Sequence, residues 1–103
     1  MIVLDESIEI LIPTQYTDVI QVCARDFTRM FGGVTLTQHE GFYTSKGGQI
    51  LREEITSIKS YTTTDTLSEY VDSVQSLAEE IRTNLCQETV GVILDGKLLL
   101  VGS

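Results

Sequence analysis

The stretch SIEILIP, residues 7–13, places an isoleucine at every second position. This alternation predicts a β-strand with Ile8, Ile10 and Ile12 on one face. Pro13 ends the strand, because proline has no backbone N–H to donate to a neighbouring strand. We therefore expect a strand that buries one face against another layer of the protein.

A helix is predicted directly after this strand. Apolar side chains recur there at three- and four-residue steps, which is the spacing of one helix face. These side chains are Val19, Ile20, Cys23, Phe27, Met30 and Phe31. Gly32-Gly33 ends the helix, since glycine accepts the left-handed geometry of a C-cap.

Two strands that form a hairpin are predicted next. Val34–Thr44 and Gln49–Thr62 are rich in β-branched and aromatic residues, and the glycine-rich residues 45–48 between them are typical of a turn. Ile55 and Ile58 have opposite parity along the second of these strands, and Gly41 interrupts the first. This break in the alternation predicts a β-bulge.

A second helix follows a short threonine-rich loop. An apolar stripe over residues 67–81 predicts a helix of about five turns. Its first turn is predicted to be capped by Thr66 with Glu69 in a capping box, or alternatively by Asp65. Carboxylates line the outer face of this helix.

A last hairpin completes the pattern and decides the fold class. Thr89–Leu94 and Lys97–Val101 flank Asp95-Gly96, the strongest short-range hairpin signal. The order β-α-β-β-α-β predicts an α+β protein with the ferredoxin-like arrangement, an antiparallel sheet with two helices on one face and a C-terminal β-hairpin. The whole chain, residues 1–103, is predicted to be a single domain.

Composition excludes several classes of function. Fifteen acidic residues against seven basic ones give a net charge of −8, which disfavours binding to nucleic acid because phosphate contacts need clustered Lys and Arg. No apolar run approaches the roughly 20 residues that a membrane span needs, and no signal peptide is visible, so we expect a cytoplasmic protein. Cys23 and Cys86 lack the spacing of a zinc site and are expected to be buried thiols, with a disulfide as the alternative. No metal and no cofactor are predicted.

Nearly the whole chain resembles a group of small uncharacterised bacterial, phage and plasmid proteins of ferredoxin-like fold. The resemblance implies a fold and a mobile-element setting, and it implies no activity. The stretches that carry it are Ile10–Pro13, Phe31–Thr35, Gly41–Tyr43, Gly48–Glu53, Ser60–Thr62 and Gln87–Val90.

Eight side chains are candidates for binding a small nucleotide-like ligand. An aromatic ring to stack on, an arginine to hold phosphate and a carboxylate to accept hydrogen bonds from a base or ribose would together suit such a ligand. The same side chains could equally form cross-strand pairs on a solvated face, and the helical arginines could pair with Asp18 or Asp26. The candidates are Arg25, Arg29, His39, Tyr43, Arg52, Glu53, Tyr61 and Gln87.

No catalytic group is predicted. His39 is the single histidine, and Glu53 and Glu54 are adjacent on a strand, so their carboxylates lie on opposite faces and cannot form a close pair. The sequence therefore favours a non-catalytic binding module over an enzyme. By analogy with small phage proteins of similar size that sequester ligands, the most specific form of this expectation is a phage or mobile-element protein that sequesters a nucleotide-like signal at the interface of a homo-oligomer.

Self-association is predicted from the last strand. Leu98, Leu99, Leu100 and Val101 are apolar on both faces of that strand, and a chain of ~100 residues has material for one core layer only. A second copy would supply the missing layer. Two alternative functions stay open: a dimeric α+β-barrel enzyme with a cleft above the open sheet face, and an acidic module whose second helix blocks a basic partner.

Overall fold

The computed structural model describes residues 1–102 and contains the seven predicted elements in the predicted order. Each predicted strand and the first helix lie within one or two residues of their expected positions. The elements are β1 (Glu6–Pro13), α1 (Thr17–Phe31), β2 (Thr35–Thr44), β3 (Ile50–Thr62), α2 (Thr64–Asn84), β4 (Val90–Leu94) and β5 (Lys97–Val101).

The five strands form one antiparallel sheet in the order β2-β3-β1-β4-β5. Four of these strands have the ferredoxin-like order, and β5 extends it at one edge through the closing hairpin. Both helices pack on the same face of the sheet. The predicted α+β, ferredoxin-like class is confirmed.

The core lies between the helices and the even-numbered side chains of β1. Ile8, Ile10 and Ile12 have no exposed surface. They pack with Phe27 of α1 and Val74 of α2, which are also completely buried. The alternation in SIEILIP therefore marks the strand at the centre of the sheet, whose helix-facing side chains are removed from water.

The β2–β3 ladder corrects one prediction. Its pairing runs without a break from Thr35 opposite Lys59 to Thr44 opposite Ile50, so the predicted bulge is wrong. Ile58 faces the helices and is buried, whereas Ile55 is only half-buried on the other face. The parity of the isoleucines changes because β3 carries apolar side chains on both faces.

The far end of this hairpin projects beyond the rest of the sheet. β1 pairs with β3 only as far as Pro13 opposite Ile55, so residues 40–54 form a two-stranded arm with no neighbouring strand on its β3 side. The molecule is accordingly elongated, with extents of 48 × 24 × 23 Å. The arm exposes the apolar side chains of Phe42, Tyr43 and Ile50.

The local signals at helix and hairpin ends are mostly confirmed. Gly32 ends α1 in the left-handed conformation, with a φ of 91°. Asp95 and Gly96 both have positive φ, as a two-residue hairpin turn requires. The predicted caps of α2 are wrong, because Thr63 is the N-cap and its hydroxyl accepts a hydrogen bond from the backbone N–H of Thr66 at 3.3 Å.

The two cysteines are not paired with each other. Cys23 is buried in the core, as predicted, but Cys86 is exposed after the end of α2, so the expectation of a second buried thiol is wrong. Among residues 1–102, neither helix has the combination of length and apolar character that crossing a bilayer requires.

Candidate functional site

One face of the sheet is left uncovered by the helices. This open face carries the odd-numbered side chains of β1, β2 and β3, because directly paired residues project to the same side of an antiparallel sheet. Four of the eight predicted binding residues lie on it. They are His39, Tyr43, Glu53 and Tyr61.

Glu53 occupies a notch in the open face at the base of the arm. The residue directly across the ladder is Gly41, which has no side chain. His39 and Tyr43 are the next residues on β2 whose side chains share that face, so they flank the notch diagonally at a typical distance of about 7–8 Å. The structure thus brings two of the other predicted residues, His39 and Tyr43, beside Glu53.

The notch closes on its inner side against Ile55. A Cβ placed on Gly41 would lie 3.2 Å from Ile55 Cδ1, which is tighter than ordinary van der Waals contact. A glycine is therefore the residue that leaves this space free. Sequence analysis missed Gly41 as part of the site, although a glycine inside a strand is itself a signal of close approach.

The carboxylate of Glu53 lacks a partner within the described chain. No hydrogen bond or ion pair to it occurs in residues 1–102, and the side chain is half-buried. Partial burial raises the pKa of Glu53 above its ordinary value. A half-buried, uncompensated carboxylate in a surface notch is suited to bind a cation or to exchange a proton.

Tyr61 lies on the open face but away from this notch. It is eight residues further along β3, a separation of roughly 26 Å for an extended strand. Its ring contacts Lys59, whose Nζ is 4.9 Å from the ring centroid. Tyr61 therefore cannot act on the same small ligand as Glu53 within one subunit.

Arg52 projects from the opposite face of the arm. Its Nε is 2.7 Å from Glu40 Oε1, and its Nη2 is 3.5 Å from Glu54 Oε1. The guanidinium of Arg52 lowers the pKa of Glu40 through hydrogen bonding and charge. Arg52 is thus paired with two carboxylates of its own arm. Strand alternation places Arg52 and Glu53 on opposite faces, so the two side chains do not share a surface as expected.

The remaining candidates also lie apart. Arg29 is 3.6 Å from Asp26 and borders a groove between the helices that Asp72 and Glu80 also line. Its surroundings are acidic, which disfavours a phosphate. Arg25 is exposed on the same helix.

Gln87 lies in the loop after α2, where its side-chain amide donates to the carbonyl of Leu85 at 3.4 Å. The neighbouring Glu88 is 3.9 Å from Lys46 in the turn of the arm. Both side chains are largely exposed, so this ion pair contributes little stability.

A separate groove of about 660 Å³ lies between α2 and the β4–β5 hairpin. Its floor is apolar, with Val92, Leu94 and Leu99, and its rim includes Asp72 and Glu79. None of the eight predicted residues lines it. Within residues 1–102, no three His, Cys, Asp or Glu side chains cluster as a metal site would require.

Comparison with known proteins gives a likeness in fold. The chain matches no family model and no curated protein sequence. A solved phage SAM lyase in complex with S-methyl-5'-thioadenosine superposes with a TM-score of 0.67 at 17% identity, covering 100% of this chain and 94% of that one. The fold resembles that of a phage SAM lyase. The apo state of a phage SAM lyase gives a TM-score of 0.65 at 18% identity, with 100% and 95% coverage.

These neighbours correct one expectation and support two others. The expectation that a non-catalytic module is favoured over an enzyme is contradicted, because the solved proteins that share this fold are enzymes. The predicted similarity to small phage proteins is confirmed at the level of the fold. A nucleoside-type ligand is bound by one of the neighbours, which agrees with the class of ligand predicted from the sequence.

Proposed function

We propose that this protein is an enzyme acting on a nucleoside sulfonium of the S-adenosylmethionine (SAM) type, at the Glu53 notch on the open face. The observation that carries the proposal is the shared fold over the whole chain with a lyase that binds S-methyl-5'-thioadenosine. Of the three functions predicted from sequence, this corresponds to the alternative of an α+β enzyme with a cleft above the open sheet face.

The side chains around the notch suit the parts of such a ligand. The ring of Tyr43 is 49% exposed on the open face and offers a surface on which a purine base can stack. His39 is exposed on the same face and can donate or accept a hydrogen bond from a ribose hydroxyl. Glu53 supplies the negative charge that a sulfonium attracts.

The proposed chemistry needs no metal or redox step. When the carbon–sulfur bond to the amino-acid chain of SAM breaks, its electron pair stays on sulfur, which becomes a neutral thioether. The carbon that leaves sulfur forms a new bond to an oxygen of the substrate's own carboxylate and closes a lactone, so no further reactant is consumed. S-methyl-5'-thioadenosine is the thioether that SAM yields when the bond to its amino-acid chain is broken. The role of this chain's residues is to bind and orient the nucleoside, and partial exclusion of water strengthens each electrostatic contact.

We propose further that the protein works as a homo-oligomer through its open face. Leu98 and Leu100 lie on this face and are 57% and 64% exposed, and Ile93 beside them is half-buried. An apolar patch on an edge strand is costly unless another surface covers it. A single sheet face is also too flat to enclose a nucleoside, so a second copy would complete the cleft.

The distribution of charge supports this choice of face. The open face carries three charged side chains, Glu9, Glu53 and Lys59, and is therefore close to neutral. The outer surface of α2, by contrast, has five exposed carboxylates and would repel a second acidic copy. These carboxylates belong to Asp65, Glu69, Asp72, Glu79 and Glu80.

The activity is tested by incubating the purified protein with SAM and measuring S-methyl-5'-thioadenosine by liquid chromatography with mass spectrometry. We expect the thioether to form in proportion to protein concentration, and above the slow spontaneous breakdown of SAM in a protein-free sample. The Glu53→Gln variant should lose most of this activity. No formation above the blank, together with no rise in melting temperature on adding SAM, would overturn the proposal.

The oligomeric state is tested by light scattering coupled to size exclusion. A mass that is a multiple of the 11.4 kDa chain at micromolar concentration is expected. A mass of one chain under those conditions would rule out assembly through the open face.

A further inference from the structure

The surroundings of Glu53 affect which ligand the site prefers. On its own strand, the side chains that share its face on either side are Leu51 and Ile55, both apolar. Across the ladder Gly41 contributes no polar group. The carboxylate thus has apolar side chains on both sides along its strand and no side chain directly across from it, and it is half-buried.

The neighbouring charges do not neutralise this carboxylate. Arg52, Glu40 and Glu54 form an ion-paired cluster, but strand alternation places all three on the opposite face. β1 ends at Pro13, opposite Ile55, and so brings no charged group beside Glu53. His39 and Tyr43 are the titratable side chains that face Glu53 from the packed strand β2.

We propose that Glu53 is the specificity-determining residue by which the site holds a cationic sulfonium and releases the neutral thioether formed from it. The inference rests on the proposed function and adds the physical basis of substrate preference. A cation beside a half-buried carboxylate gains an interaction that is stronger than the same pair in water. A thioether of the same shape gains none of it, so cleavage itself weakens binding at the sulfur position.

The proposal is tested with two ligands that differ in charge at that position. Sinefungin is a stable SAM analogue that carries a protonated amine in place of the methylsulfonium, and S-adenosylhomocysteine has the same amino-acid chain with a neutral thioether at that position. Calorimetric titration at pH 8 should give tighter binding of sinefungin to the wild-type protein. The Glu53→Gln substitution should weaken the binding of sinefungin by about tenfold or more, because one charge-assisted contact is lost. It should weaken the binding of the thioether by less than about threefold.

Glu54→Gln is the matched control. It removes a carboxylate one residue away, on the opposite face, that is paired with Arg52. Its affinities for both ligands should stay within about twofold of the wild type, since long-range effects of exposed charges are screened by salt. An equal loss in Glu54→Gln and Glu53→Gln would show a non-specific effect of net charge and would overturn the inference.

The pH dependence provides a second, independent measurement. Sinefungin binding should strengthen as pH rises through the ionisation of Glu53, whose pKa is raised by burial, and this dependence should disappear in Glu53→Gln. The profile is also measured in the His39→Gln background, which removes the imidazole from the notch. A pH profile unchanged by Glu53→Gln in that background would contradict the proposal.

The outcomes separate this inference from the proposed function. A wild-type protein that binds neither ligand overturns the proposed function and the charge preference together. If the wild-type protein binds both ligands and Glu53→Gln lowers both affinities equally, the nucleoside site stands and only the charge preference is overturned.

Discussion

Glu53 and Gly41 lie directly opposite each other in the β2–β3 ladder, so the carboxylate of Glu53 projects from the sheet with no side chain across from it. This relationship opens the notch in which we place the ligand. It also means that the site depends on the absence of a side chain as much as on the presence of one.

Filling the notch should therefore abolish ligand binding without unfolding the protein. Gly41→Val introduces a β-branched side chain that suits a strand, and the contact it creates is with the flexible end of Ile55. We expect SAM and sinefungin to bind about tenfold more weakly or worse, with a circular dichroism spectrum like that of the wild type. Gly33→Val is the control, because a Cβ at Gly33 meets no atom within 4 Å. Unchanged affinity in Gly41→Val would place the ligand elsewhere.

Arg52→Ala should leave ligand binding intact. The guanidinium of Arg52 is held by Glu40 and Glu54 on the face away from Glu53, so its removal takes nothing from the notch. The pKa of Glu40 should rise toward its ordinary value, because Arg52 is the group that lowers it. Side-chain titration by NMR measures that change, and calorimetry measures the affinity. A strong loss of affinity would mean that the arm rearranges when ligand binds.

Leu100→Lys should disrupt self-association. Leu100 is 64% exposed on the open face, and a charge there would have to be buried in the interface at considerable cost. Light scattering should then show a shift toward the mass of one chain, or the protein should precipitate because its apolar surface is left exposed. Val22→Lys on α1 is the matched control, since Val22 is 49% exposed on the helical side of the molecule. If both variants keep the mass of the wild type, the interface does not include β5.

The two thiols should differ sharply in reactivity. Burial raises the pKa of Cys23 to about 12, with a smaller contribution from the charge of Asp26, so the reactive thiolate is scarce at pH 8. Cys86 is exposed. A disulfide reagent should modify one thiol per chain in the native protein and two after denaturation. Rapid modification of both thiols without denaturant would show that α1 does not pack as described.

Thr63→Ala should lower the stability of the protein through α2. The hydroxyl of Thr63 accepts a hydrogen bond from the N–H of Thr66, and loss of such a cap costs about 1 kcal/mol. Urea unfolding should give a lower midpoint with an unchanged slope. Ser68→Ala on the exposed surface of the same helix is the control and should have little effect or a slightly stabilising one. Equal midpoints for Thr63→Ala and the wild type would contradict the assigned cap.

The order of elements and the fold class follow from local patterns in the sequence. Alternating isoleucines in residues 7–13, the glycines after Phe31 and the Asp95-Gly96 turn are local signals, and each depends on only a few neighbouring residues. Right-handed connections and a single core leave few ways to assemble that order of elements. The sequence also indicated most of the side chains around the notch, since His39, Tyr43 and Glu53 were all among the candidates.

Which candidates share a surface depends on how the strands pair in the folded chain. Register between strands is set by side chains far apart in the chain, and a shift of one residue would exchange the two faces of β3. The observed register joins His39, Tyr43 and Glu53, sends Arg52 to the other face and leaves Tyr61 at the distant end of the sheet. Gly41 could be assigned a role only after the register had placed it opposite Glu53, because a glycine contributes to a site through the space that its missing side chain leaves open.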